Sequence, residues 1–169
     1  MAVAGTALAT ACSAAPDPDP SAMVAWADRF CAVVADAGVV LATPLPDIDL
    51  ADPDAARAAL AAYLAALTDG LSSAVAAIDR LAPSPITGGD RAAHVAADTY
   101  RGLRAPLDEA RTVLDDNTTA HVVAEVAGEV APEVAALDLA DPLAGTAGSD
   151  VTRWAERAPQ CDRVPALRG

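Results

Sequence analysis

Asp52-Pro53-Asp54-Ala55-Ala56-Arg57 opens a stretch that runs to Leu81 and carries Leu60, Leu64, Leu67, Leu71, Val75 and Ile78 in a background of alanine. Those apolar positions advance by three or four residues, the period of a helix with one buried stripe. Asp52 suits the N-cap and Pro53 the first turn, and Pro83 and Pro85 close the segment. At ~1.5 Å per residue the stretch makes a rod of roughly 43 Å. Arg57, off the stripe, is assigned to solvent.

Flanking segments repeat the pattern at lengths suited to packing along that rod. Ser21 to Ala37 reads as a helix with Trp26, Phe30, Val33 and Val34 on one face and Gly38 as its stop. Val39 to Leu50 contains Pro44 and Pro46 and is expected to cross the bundle extended, burying Leu41, Leu45 or Ile48. After the turn Ala82 to Gly89, where Thr87 and Asp90 are spaced for a capping box, a third helix reaches Leu114. Its inward positions are read as Ala92, Val95, Ala96, Thr99, Leu103, Leu107, Ala110 and Leu114. A fourth helix, Thr118 to Leu137, has the stripe Val122, Val123, Val126, Val130, Val134 and Leu137. Beyond the loop from Asp138 to Gly148, Ser149 or Asp150 caps a short last helix that runs to Ala158. The fold expected is all-α: an antiparallel four-helix bundle with a short C-terminal helix, forming one domain over 21–169.

Composition narrows the function. The 169 residues are 53% hydrophobic, yet about a quarter are alanine, and the aromatics are two Trp, two Tyr and one Phe. Alanine favours helix but contributes little buried area, so the core should be thin and the helices closely spaced. All 11 basic residues are arginine against 24 acidic ones, a net charge of -13. That balance disfavours nucleic acid and electrostatic attachment to anionic lipid. No uncharged run reaches ~18 apolar residues, so no membrane span is expected.

Two constellations invite a chemical reading. Gly102-x-x-x-Pro106 and Gly128-x-x-x-Pro132 place a proline four residues after a glycine on helices three and four. Each proline frees the carbonyl of its glycine. The pair either opens a pocket between kinked helices, or merely lets the helices wrap the core or break. His121, Glu125, Glu129 and Glu133 recur every four residues, with His94 and Asp98 the visible candidates on a facing helix. The row drifts ~40° per step, so a solvated acidic face is preferred to a metal site. Asp98 with Arg101, and Arg104 and Arg111 with Asp108, are spaced for exposed intrahelical pairs. No nucleophile elbow, phosphate loop, dinucleotide fingerprint or zinc motif is present, and no enzyme activity, metal or cofactor is expected.

At the N-terminus, Met1 to Ala11 is uncharged and mostly small or apolar, leading to Ala11-Cys12 and the run Pro16-Asp17-Pro18-Asp19-Pro20. Residues 1–20 read as the remnant of an export signal and a proline-stiffened tether, with Cys12 in the place of a lipobox cysteine. Ala9 and the lack of a basic start depart from that pattern, which points to a start further upstream or a truncated chain. Together with Trp26-x-x-x-Phe30-Cys31, Pro83-Ser84-Pro85, Gly88-Gly89-Asp90 and Ala158-Pro159-Gln160-Cys161, this resembles small exported actinobacterial lipoproteins of uncharacterised function. The resemblance implies an envelope protein with a paired cysteine and supplies no binding or catalytic residues.

Export would place Cys31 and Cys161 in an oxidising compartment, where a disulfide between them is expected, the alternative being two separate buried thiols. The function expected is a non-catalytic binding or structural module. It would be monomeric, extracytoplasmic, lipid-anchored through Cys12, and matched to an unidentified protein partner. The alternative is a carrier of a small apolar ligand between the kinked helices, with a metal-dependent enzyme ranked last.

Overall fold

The computed structural model describes residues 19–116, 119–137 and 141–167, the side chains of 133–137 and 165 excepted. Cys12, the tether up to Pro18, Thr118, the loop residues from Asp138 to Ala140 and the side chains of Glu133, Val134 and Leu137 lie outside that set. The described residues form α1 (Pro20–Leu41), α2 (Pro53–Asp79), α3 (Gly89–Asp116), α4 (Ala120–Leu137) and a short α5 (Val151–Ala155). Three 3₁₀ turns follow the long helices, at Ala144–Thr146, Pro159–Arg163 and Pro165–Leu167. The chain is an all-α bundle, as its periodicity predicts.

α2 is the core helix. The Asp52 side chain caps it by accepting from the Ala55 amide at 3.1 Å, and Pro53 occupies the first turn. Leu60, Leu64, Leu67, Leu71 and Ile78 are at most 2% exposed, while Val75 is half-buried and Tyr63, Thr68 and Ala74 widen the stripe. Each leucine enclosed in this way contributes ~1.5–3 kcal/mol of apolar burial. Asp69 interrupts any uncharged run, but on average α2 is apolar and long enough to cross a membrane. This corrects the expectation that no segment has the length and apolarity of a span; the leucine face of α2 is buried in the bundle.

Side-chain contacts set the directions of α2's neighbours. Trp26 Nε1 donates to Leu81 O at 2.9 Å and Tyr63 Oη to Thr43 O at 3.0 Å, so α1 and α2 run antiparallel. On the other side, Arg101 meets Asp79, Arg104 meets Ser72, Arg111 meets Thr68 and Arg57 meets Leu114 O. The α3 numbers rise as the α2 numbers fall, so this pair is antiparallel too. α4 packs on α3 and α2, while α1 is covered on its remaining side by α5 and the turn Pro159–Arg163.

Several local expectations change. α1 starts at Pro20, capped by Asp19, whose carboxylate accepts from the Ser21 amide at 2.9 Å and from the Ser21 hydroxyl at 2.6 Å. Those two bonds hold the Asp19 carboxyl below its usual pKa. Gly38 does not stop α1. It is exposed, without positive φ, and the helix continues to Leu41. Val40 explains the extension, because its side chain packs over Gly70 where any Cβ would meet Val40 Cγ1 at 2.6 Å.

No Thr87–Asp90 capping box forms. Asp90 Oδ1 accepts from the Ser84 amide at 2.7 Å, and Thr87 O accepts from the Asp150 amide at 3.1 Å, tying this turn to the C-terminal segment. α5 ends at Ala155 rather than Ala158, and Ser149 Oγ, not Asp150, meets its first amide.

On α3 the buried face is rotated from the expected one. Ala93, Ala97 and Tyr100 are buried, whereas Val95, Thr99 and Leu103 are half-buried. Burial pushes the Tyr100 hydroxyl up to about 12. Gly145 packs against this helix so closely that a Cβ would lie 2.9 Å from Ala92 Cα.

Candidate functional site

Two features of the described residues bear on function: a covalent staple at one edge of α1 and an open groove between α3 and α4. The staple is a disulfide between Cys31 and Cys161, with alpha carbons 4.8 Å apart and a sequence separation of 130. Both cysteines are buried, Cys31 facing inward beside Phe30 and Val34. Pro159 starts the 3₁₀ turn that brings Cys161 onto α1, and the Gln160 amide donates to Asp28 Oδ1 at 2.7 Å. An Arg163–Asp36 ion pair of 2.6 Å fastens the next residues to the same helix. Trp26 stacks on Phe30 with ring centroids 5.3 Å apart, so the strongest aromatic packing lies beside the staple.

The groove has a volume of about 450 Å³ and is bordered by Pro106, Leu107 and Val113 from α3 and by Glu129, Val130 and Pro132 from α4. Both helices run through their prolines unbroken. Pro106 and Pro132 both border this groove, and the breaking of either helix is not observed. Gly102 and Gly128 do not border the groove. Both are exposed, with nothing within 4 Å of where a side chain would begin. The floor is apolar, and Val113 is 40% exposed at the rim. The wall mixes apolar side chains with two carboxylates, Glu109 and Glu129, and its apolar part suits an aliphatic segment.

The row of His121, Glu125 and Glu129 is exposed on α4. His94 Nε2 lies 3.1 Å from Asp98 Oδ2, both on the exposed face of α3. Among the described residues, no group of three or more His, Cys, Asp or Glu is arranged to hold a metal ion.

The arginines of α3 do more than the intrahelical pairing their spacing suggests. Arg101 bonds Asp98 at 2.9 Å and also reaches Asp79 on α2 through both carboxylate oxygens at 3.0 Å. Its guanidinium is held more firmly charged by those two carboxylates, Asp98 first. Arg104 and Arg111 likewise bridge to the Ser72 and Thr68 hydroxyls at 3.2 and 3.0 Å. This seam is structural, a polar strip along the α2–α3 contact. Arg57 is half-buried rather than solvated, with Nε buried and without a hydrogen-bond partner among the described residues.

Compared with known protein families, with curated proteins and with solved structures, the chain finds no match in any of the three.

Proposed function

We propose that this chain is a non-catalytic binding module that works outside the cytoplasm, held at the outer face of the cell membrane by a lipid on Cys12. The observation that carries the reading is the Cys31–Cys161 disulfide. Bridges of this kind persist in oxidising compartments and are rare where thioredoxin and glutathione keep thiols reduced. A thin, alanine-rich core gains most from such a bridge, because its own apolar burial per residue is small. Acidic surface, the Pro-Asp tether and the lipobox-like Ala11-Cys12 fit the same picture.

The test is made in the native host. Cells are fractionated, and free thiols are alkylated in intact cells before lysis. The expected result is a membrane-fraction protein whose mature N-terminus is a lipidated Cys12, with Cys31 and Cys161 protected until reductant is added. A protein in the cytoplasm with both thiols reactive after unfolding overturns the location. An unmodified Cys12 removes the anchor. Crosslinking in intact cells then identifies the partner.

A second reading is favoured by the groove at Pro106 and Pro132, whose apolar floor suits a small apolar ligand carried between the helices. Native mass spectrometry of protein from its host distinguishes the two. A copurifying apolar molecule lost on Val113→Asp substitution supports the carrier, and its absence supports the module.

A further inference from the structure

We propose that the furrow between α1 and α2 binds the monomeric anion of a medium-chain fatty acid, its acyl chain along the furrow and its carboxylate between Arg29 and Arg80. This goes beyond the reading above and concerns a different surface from the α3/α4 groove.

Two adjoining cavities, about 320 and about 610 Å³, share Val33, Ala77 and Arg80 and so form one open furrow. Its far end is lined by Ala37, Val40, Gly70 and Ala74, with Asp36 and Ser73 at its edges. Val40 fills the space over Gly70, and beyond it small side chains leave room along roughly 12 Å of α2, taking ~1.5 Å per residue from Ser73 to Leu81. A narrow apolar trough of that length suits one unbranched chain. Arg29 and Arg80 stand at its other end, with Leu81.

Charge argues for the head group. The chain carries a net charge of -13, yet each carboxylate near these two arginines is engaged elsewhere. Asp28 accepts from the Gln160 amide, Asp36 pairs with Arg163, and Asp79 holds Arg101. Among the described residues, neither the Arg29 nor the Arg80 guanidinium has a hydrogen-bond or ion-pair partner; the Arg80 amide donates to Ile78 O. Two exposed guanidiniums at the mouth of an apolar trough match a carboxylate that ends an aliphatic chain, since guanidinium binds carboxylate through paired charge-assisted bonds. A neutral lipid would leave both unmatched, and a cationic one would be repelled.

The test is isothermal titration calorimetry of the full chain with sodium dodecanoate below its micelle concentration, with dodecan-1-ol and dodecyltrimethylammonium as head-group controls. One saturable site is expected for dodecanoate, with dodecanol weaker by roughly tenfold and the ammonium weaker still. The double variant R29Q/R80Q should lower dodecanoate affinity by roughly tenfold and leave dodecanol unchanged, whereas R29K/R80K should retain most of the binding. Ala77→Leu, which fills the middle of the trough, should weaken both ligands, and Val113→Asp in the other groove should weaken neither. Thermal melts of each variant show that the fold is intact. Absence of a saturable site overturns the proposal, as does an affinity indifferent to the arginines. A loss with Val113→Asp equal to that with Ala77→Leu also overturns it by moving the site. Adsorption to anionic phospholipid vesicles without binding of monomeric dodecanoate assigns the arginines to a membrane surface and overturns it too.

Discussion

Reduction of the Cys31–Cys161 bridge should lower the melting temperature by roughly 10–20 °C. The bridge closes a loop with a sequence separation of 130. In the chain-entropy account a loop of that size restricts the unfolded ensemble by about 5 kcal/mol. A domain of this size melts ~2–4 °C lower for each kcal/mol lost, which gives the stated range. Against a net stability of ~5–15 kcal/mol, the bridge is a large share. Other ties between the closing segment and α1 survive reduction: the Gln160–Asp28 bond, the Arg163–Asp36 pair, and the burial of Val164 and Leu167. The segment should therefore remain docked but exchange its amide hydrogens faster. The assay is a thermal melt followed by circular dichroism with and without phosphine reductant. Because both sulfurs are buried, incubation continues until thiol titration is constant. A Cys31→Ala, Cys161→Ala double variant should melt at the reduced temperature whether or not reductant is present. If the wild type melts unchanged once both thiols are shown to be free, the loop-entropy reasoning is refuted.

Leu64→Ala and Leu71→Ala, both nearly fully enclosed, should each cost ~2–5 kcal/mol in chemical denaturation; losses below ~1 kcal/mol would contradict the assigned core. Gly145→Ala should destabilise by ~1–3 kcal/mol, because its methyl would press on the backbone of Ala92 in α3, and an unchanged midpoint would argue against that contact. Burial raises the Tyr100 pKa from its ordinary 10.0 to about 12, and Tyr63 shifts in the same direction. The folded state therefore holds the phenol proton more tightly than the unfolded chain. The associated stability is complete below about pH 10 and falls by roughly 2–3 kcal/mol as pH rises to about 12. Tyr100→Phe should flatten most of that alkaline decline in stability against pH, and an identical slope in the variant would assign it to other groups.

Local pattern predicted the helices well where one face of one helix settles the matter. The leucine stripe of α2 and the cap at Asp52 are of this kind, because spacing alone decides them. Gly38 shows where the same reasoning fails. Its role depends on Val40 meeting Gly70 from another helix, which extends α1 beyond a residue that propensity alone treats as a stop. Tyr100 was hidden for a related reason: α3 is packed by α2, by α4 and by the turn at Ala144–Thr146, so its buried arc is wider than a single stripe. At the candidate sites the prolines were legible because a proline in a helix acts through its own backbone. Arg29 and Arg80 were not, since only the antiparallel packing of α1 on α2 brings them to one trough.

The staple also decides how the domain carries mechanical load. A pull applied to the chain on either side of the bridge enters α1 at Pro20, descends about three turns to Cys31, crosses the sulfurs, and leaves through Cys161 and the turns that follow. α2, α3 and α4 lie within the bypassed loop, so their leucine core and the arginine seam stay out of the line of tension. Only a short length of helix and the closing turns can be drawn out before the covalent bridge takes the strain. A domain wired in this way can be pulled from its two ends while the packed helices, and the troughs between them, keep their shape.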